Sequence, residues 1–315
     1  MTLLSEAMDT AAQLTRALSG TQWTISSAGH EAVVVEVGGG LRRYAVDGAP
    51  VLEGYEPDEL CPGSCGQVLA PWPNRIRDGQ YHFRDETQQL ALNEPDRHNA
   101  IHGLVNWARW RLVEAHDDRV TVEHDLVPQR GYPWPLHLRT TWSVSADGLR
   151  AEHEVTNPGA TAVPFGMAVH PYLIIPGVPV DDLTLTVPAR SRLLVDGRLL
   201  PIGAARVAGT EFDFTEGRKI GSTVLDTAFG DVDPDAEGGT RCTIVAPDGR
   251  TVSLWADSAY SWWQIYTSDT LAPARLRKAV AVEPMTCPPD AFRSGRDLII
   301  LAPGETWRGT WIVQS

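Results

Sequence analysis

Of 27 basic side chains only Lys219 and Lys278 are lysines, and 40 acidic residues leave the 315-residue chain with a formal charge of −13. That balance argues against nucleic acid or an anionic membrane as partner, because both reward clustered positive charge through counterion release or surface potential. Cysteine is also sparse. Cys61, Cys65, Cys242 and Cys287 are irregularly spaced, so no disulfide framework is implied. Cys61 and Cys65 would open a zinc site only with a second ligand pair, and neither Cys242 nor Cys287 has another Cys or a His within four residues. No run approaches the ~18 uninterrupted apolar residues of a membrane span. Glu6 and Asp9 fall where a signal peptide needs an apolar stretch, so the expectation is a cytoplasmic protein with reduced thiols. Catalytic signatures are missing too: there is no GxSxG elbow, no GK[ST] phosphate loop, and Gly38-Gly39-Gly40 opens no helix.

Helical periodicity is scarce as well. Only residues 3 to 18 read as a plausible long helix, within an N-terminal extension spanning 1–22. The rest, at 43% hydrophobic with 28 Gly and 23 Pro, is a succession of short β-branched and aromatic runs separated by turn residues. EAVVVEV and LRRYAV flank three glycines, RWRLVEA and RVTVEHDLV flank His116-Asp117-Asp118, and LRTTWSVS and LRAEHEV flank Ala146-Asp147-Gly148. CTIVA and RTVSLWA, and DLIILA and TWRGTWIV, repeat the hairpin pattern. Alternation in RTTWSVS predicts one wet and one buried face, as antiparallel sheets show. Strands follow one another too closely for βαβ crossovers. The economical architecture is all-β, one large antiparallel β-sandwich over residues 23–315 with a short N-terminal helical extension.

Three groups of residues resist explanation as ordinary strand and turn. In PWPNRIRDG, two prolines rigidify the approach to Asn74 and Arg75. A guanidinium held this way can serve neighbouring hydroxyls, or it can simply pair with an acid at a strand edge. In NAIHGLVNW, His102 precedes a glycine that would let backbone approach a ligand closely. His98, four residues earlier, invites a metal reading that the surrounding strand signals oppose, and no metal is expected. In FGMAVHPYL and VAVEPMTCPPDAF, His170 and Glu283 each sit in an apolar run directly before a proline, which favours an extended strand end opening onto a cleft. A charge there is expensive unless paired or used, so the two are candidates for general acid and general base, or for a hydrogen bond that only ties two strands. Asp226 reads as a ligand or a turn cap, and Gln264 in YSWWQIYT could present an amide beside Trp262, with Trp263 on the opposite face. The chain has 11 Trp, most of them expected in the core or at strand edges, leaving Trp262 or Trp263 and Trp72 as candidate cleft walls.

Taken in order, PWPNRIRDG, IHG, FGMAVHPYL, LDTAF and AVEPMTCPPDAF resemble the aldose 1-epimerases, or galactose mutarotases, in the bacterial branch carrying an HPY triplet. The resemblance spans roughly residues 23 to 315. It implies a galactose mutarotase-like supersandwich, an open active-site cleft, and neither metal nor organic cofactor. It matches Glu283 to the family's general base and His170 to its general acid. His102, counted with the catalytic group, and Arg75 match residues binding sugar hydroxyls and the ring-oxygen region. Asp226 matches a hydroxyl-binding carboxylate, and Asn74, Tyr172, Gln264 and Trp263 complete the expected sugar-binding set. The implied reaction interconverts the α and β anomers of a free aldohexose such as glucose or galactose, with His170 protonated while Glu283 is ionised. A hexose-6-phosphate epimerase and a silent sugar-binding module are the rivals. Where the longer family branch has Asn-x-x-Asn-His, this chain has Gly-Met-Ala-Val. The partner expected is a small sugar, bound by a monomer or homodimer.

Overall fold

The computed structural model describes residues 17–315. The expected N-terminal helix falls outside that range apart from its last two residues. Two large antiparallel sheets dominate. One has 12 strands and runs Gln22–Ser27, His30–Val35, Leu41–Val46, Ala49–Leu52, Tyr172–Leu173, Val280–Met285, Trp262–Tyr266, Asp226–Val232, Ala189–Val195, Pro201–Arg206, with Ala168–Val169 paired to Val280–Met285 and Val68–Leu69 paired to Ala168–Val169. The other has nine, from Arg111–Ala115 through Leu136–Ser145 and Thr306–Gln314 to Arg218–Lys219. The expected all-β sandwich is observed.

The alternation that the sequence displays is what builds the layers. Along Leu136–Ser145, Leu136, Leu138, Thr140, Trp142 and Val144 are buried and their neighbours are not, so this strand contributes one face to a core shared by both sheets. Trp142 donates its indole N–H to the carbonyl of Gly39, 3.0 Å away, across the sheets. The glycine run of that hairpin is required there: Gly39 has φ +60, and a Cβ would lie 2.4 Å from the Trp110 ring.

Four of the five expected hairpins form. The fifth does not: Ile299–Leu301 pairs with Val163–Phe165, while Thr306–Gln314 pairs with Gly148–Thr156 on one edge and Thr251–Ala256 on the other. With both of its edges taken, the last strand has none left for its chain neighbour. Among the described residues no helix is long and apolar enough to cross a membrane.

Candidate active site

Three adjacent strands of the larger sheet set the floor. Gln264 stands opposite Glu283 in one pairing and opposite Ala228 in the next, and Asp226 stands opposite Tyr266. By the period-2 rule Asp226, Gln264, Tyr266 and Glu283 therefore share a face. It is the face turned away from the sandwich core, because the alternate residues Trp263, Ile265 and Val282 belong to that core. His170 enters the same face from the strand segment beside Glu283, where its own backbone is tied to Gly66 and Gln67 and the Pro171 carbonyl accepts from Val282 N–H. His170 Nε2 lies 3.3 Å from Glu283 Oε1, with both side chains buried. Tyr172 stacks on the His170 ring at 4.9 Å.

The wall comes from a two-stranded ribbon in which Arg75 pairs with Ile101, so that His102 emerges next to Arg75. His102 adopts φ +63, its N–H donates to Asn74 O, and its ring meets His170 edge to face at 5.6 Å. Gly103 does allow a close approach, but to the chain rather than to a ligand: a Cβ there would lie 2.0 Å from Ala70 O. Arg75 both pairs with an acid and faces the cavity. Its Nε and Nη2 donate to Glu94 at 2.9 to 3.1 Å, and Nη1 reaches Asn74 Oδ1 at 3.4 Å. The cavity so enclosed, about 260 Å³, is lined by Asn74, Arg75, His102, His170, Tyr172, Asp226, Gln264 and Glu283. His98 is not among these residues; it faces Asp78, 2.9 Å away.

Residues 21–314 match the family model of the aldose 1-epimerases. The uncharacterized protein YihR of Escherichia coli K12 is 35% identical over 292 residues, 92% of either chain. The chain belongs to the aldose 1-epimerase family. Its fold is that of the GalM/aldose epimerase homologue of C. elegans, with a TM-score of 0.82 at 18% identity over 93% of this chain and 98% of that one. A galactose mutarotase-like protein of Clostridium acetobutylicum gives 0.81 at 21%, over 92% and 94%.

In this aldose 1-epimerase family member the tryptophans are not cleft walls. Trp263 points into the inter-sheet core and donates to Thr240 Oγ1, because it alternates with Gln264. Trp262 shares Gln264's face but is covered by Arg296, 4.5 Å above its ring, and bonded to Asp297. Trp72 is buried in the core. Tyr172, Tyr266 and Leu271 line the cavity instead.

Burial sets the electrostatics. It pushes Glu283 well above the usual carboxylate range, the Asp226 charge adding to it and Arg75 opposing it. It drops His170 to about 3 and His102 well below the usual imidazole value, and it raises Asp226 against the pull of Arg75 and Gln264. In the free site burial therefore disfavours both charged forms, the His170 imidazolium and the Glu283 carboxylate. Asp226 is no turn cap: Gln264 Nε2 donates to its Oδ1 at 2.5 Å. Of six buried side-chain polar atoms without a hydrogen-bond partner among the described residues, three line this cavity: His102 Nδ1, His170 Nδ1 and Gln264 Oε1. Such groups are costly unless something else satisfies them.

Sequence reasoning missed Glu94, Arg97, Tyr266, Thr270 and Leu271. Glu94 carried one signal, since it also precedes a proline, as His170 and Glu283 do. It stands in a polar run, so nothing marked its charge as unusual. Tyr266 was legible by its alternation with Gln264.

Proposed function

We propose that this protein is an aldose 1-epimerase interconverting the α and β anomers of a free aldohexose by acid–base ring opening. The observation that carries the reading is the buried His170–Glu283 contact at 3.3 Å inside a sugar-sized cavity with unsatisfied hydrogen-bonding atoms. In the forward step Glu283, as carboxylate, takes the proton from the C1 hydroxyl. The C1–O5 bond breaks, its electron pair stays on O5, and His170 delivers the proton to that oxygen. The product is the open-chain aldehyde, facing a protonated Glu283 and a neutral His170. Rotation about C1–C2 and the reverse transfers give the other anomer, and no proton is gained or lost over the cycle.

The pair holds one proton throughout. Its ionic tautomer serves the ring form, and its neutral tautomer serves the aldehyde. Burial favours the neutral tautomer, which is the one present when the intermediate forms. Arg75, Asn74, His102, Asp226 and Gln264 orient the ring, supplying the positioning that acid–base transfer needs. The supports are the family membership and the juxtaposition of these side chains.

A hexose 6-phosphate is the second reading, favoured by Arg97. This side chain is 38% exposed at the cavity and engages Glu94 through Nη1, leaving other N–H groups for an anionic substituent. Polarimetry on freshly dissolved α-glucose, α-galactose and their 6-phosphates separates the two, as does exchange of anomeric protons by NMR. Acceleration over buffer is expected with at least one, falling roughly 10²–10⁴-fold in His170→Asn and Glu283→Gln. Near-normal rates in both variants would remove the assigned roles. Binding without acceleration would make the protein a sugar-binding module.

A further inference from the structure

We propose that Arg198, outside the cavity, is a positioning residue that sets the orientation of Arg75 through Asn99 and Glu94. Arg198 lies in the turn between strands Ala189–Val195 and Pro201–Arg206, at the edge of the larger sheet. That turn is preformed: Asp196 Oδ1 accepts from the backbone N–H groups of Arg198 and Leu200 at 2.9 and 3.1 Å.

From there the guanidinium reaches about a hundred positions back along the chain to a second turn. Its Nε donates to Arg97 O at 2.8 Å, and its Nη2 contacts His98 O at 2.7 Å, Asp78 Oδ1 at 2.8 Å and Asn99 Oδ1 at 3.3 Å. The carbonyl of Arg198 returns the grip, accepting from Asn99 Nδ2 at 3.1 Å. Asn99 is fully buried, and its amide is used at both ends. The same Nδ2 also donates to Glu94 Oε2 at 2.9 Å.

Glu94 in turn accepts both Nε and Nη2 of Arg75. A contiguous run of charge-assisted hydrogen bonds therefore joins an edge turn to the cavity wall, with Glu94 as its pivot. The pivot has reason to need holding. Its backbone closes on Asn99 in an isolated antiparallel bridge, and the intervening segment contains a short 3₁₀ turn and His98 at φ +55. Asn93 pins the near side of this loop to Ile101. On the far side, among the described residues, Arg198 alone engages the Arg97 and His98 carbonyls and the Asn99 amide together. Acceptors shared between Nε and Nη2 suit a forked guanidinium and not an ammonium.

The proposal uses the proposed function only for its kinetic readout. A first measurement needs no sugar: hydrogen exchange of the Arg75 Nε–H, resolved by ¹⁵N NMR in the free protein. Glu94 should protect that proton in the wild type. Arg198→Ala should speed its exchange ~10-fold or more, and Arg198→Lys should fall between. Asn99→Asp, which removes the amide donor and sets a like charge against Glu94, should act like Arg198→Ala and stands in for it if the alanine variant does not fold. Unchanged exchange in a folded Arg198→Ala or Asn99→Asp overturns the proposal, whatever the enzyme does. The second measurement is the KM against kcat split. Arg198→Ala should raise KM ~10-fold with kcat within about threefold, and Arg198→Lys should recover part of it. A loss in kcat at constant KM would also overturn it, because Arg198 would then not act through a sugar-orienting group. Faster exchange in a protein that turns over no sugar supports the clamp while removing the epimerase reading.

Discussion

Two buried histidines in this molecule have equally depressed imidazoles and differ in the closure of their hydrogen bonds. His153, in the smaller sheet, and His170, between two short strands of the larger, are both buried, and burial lowers each to about 3. His153 uses both ring nitrogens: Nδ1 meets Thr140 Oγ1 and Nε2 accepts the Trp311 indole N–H, each at 2.9 Å, with Trp142 and Trp311 packed around the ring. His170 has a carboxyl on one nitrogen and no partner on the other. A depressed imidazole therefore marks burial, and only an open valence beside a second titratable group marks chemistry. The same contrast separates Trp311, whose N–H is closed inside the core, from the cavity-lining side chains left with unmet hydrogen bonds.

Exchanging each histidine is the sharpest way to break this comparison. His170→Asn should cost the roughly 10²–10⁴-fold in kcat/KM of a lost acid–base group. His153→Leu should leave kcat/KM of the folded protein at its wild-type value but lower stability by about 1–3 kcal/mol, because the Trp311 N–H and Thr140 hydroxyl lose their partner in the core. Paired denaturant titrations and polarimetry read both quantities. Equal loss of activity in the two variants would mean that open and closed histidines do the same work.

A smaller effect follows from pH. An imidazole whose folded value lies below its unfolded one takes its proton first in the unfolded chain, so stability is present near neutrality and lost as pH falls from about 6.5 toward 3. Each such histidine adds a slope of up to about 1.4 kcal/mol per pH unit. Unfolding followed between pH 6.5 and 4 should be flatter in His153→Leu than in wild type, by about one histidine. Glu283 has the opposite sign, since its folded value is raised: the protonated carboxyl favours the folded state at low pH, and that contribution is lost as pH rises.

How much of this was legible in the sequence follows from what each residue depends on. The sandwich was legible because alternation and turn residues are local, as in Leu136–Ser145 and its hairpin partner Gly148–Thr156. The hairpin expected at Ile299–Leu301 failed because strand pairing there is decided by which edges remain free, a non-local fact. At the cavity, His170 and Glu283 announced themselves by contrast with apolar neighbours, and family resemblance ordered the rest. Trp263 failed against the chain's own alternation, which had already put it opposite Gln264. Glu94, for all its following proline, stood in a polar run where a charge has no contrast, and Arg198 in VDGRLL read as an ordinary hairpin turn. Their importance exists only once Asn99 brings two turns about a hundred residues apart within hydrogen-bond reach.

The smallest expected effect tests whether the open site works as one unit. If catalysis needs one proton on the His170–Glu283 pair, kcat/KM falls on the alkaline side when the pair loses it. Glu283 keeps that proton because burial and, secondarily, the charge of Asp226 hold its value up. Asp226→Asn removes that charge, so Glu283 should release its proton more easily and the alkaline limb should move to lower pH, by up to ~1 unit. The height of the profile should also drop, since Asp226 lines the cavity and holds Gln264, but only the position of the limb reports the coupling. No comparable coupling exists at His153, whose closed partners carry no charge. An alkaline limb that stays in place, or moves upward, would mean that Asp226 and Glu283 titrate independently and that the cavity's carboxyls are neighbours without being partners.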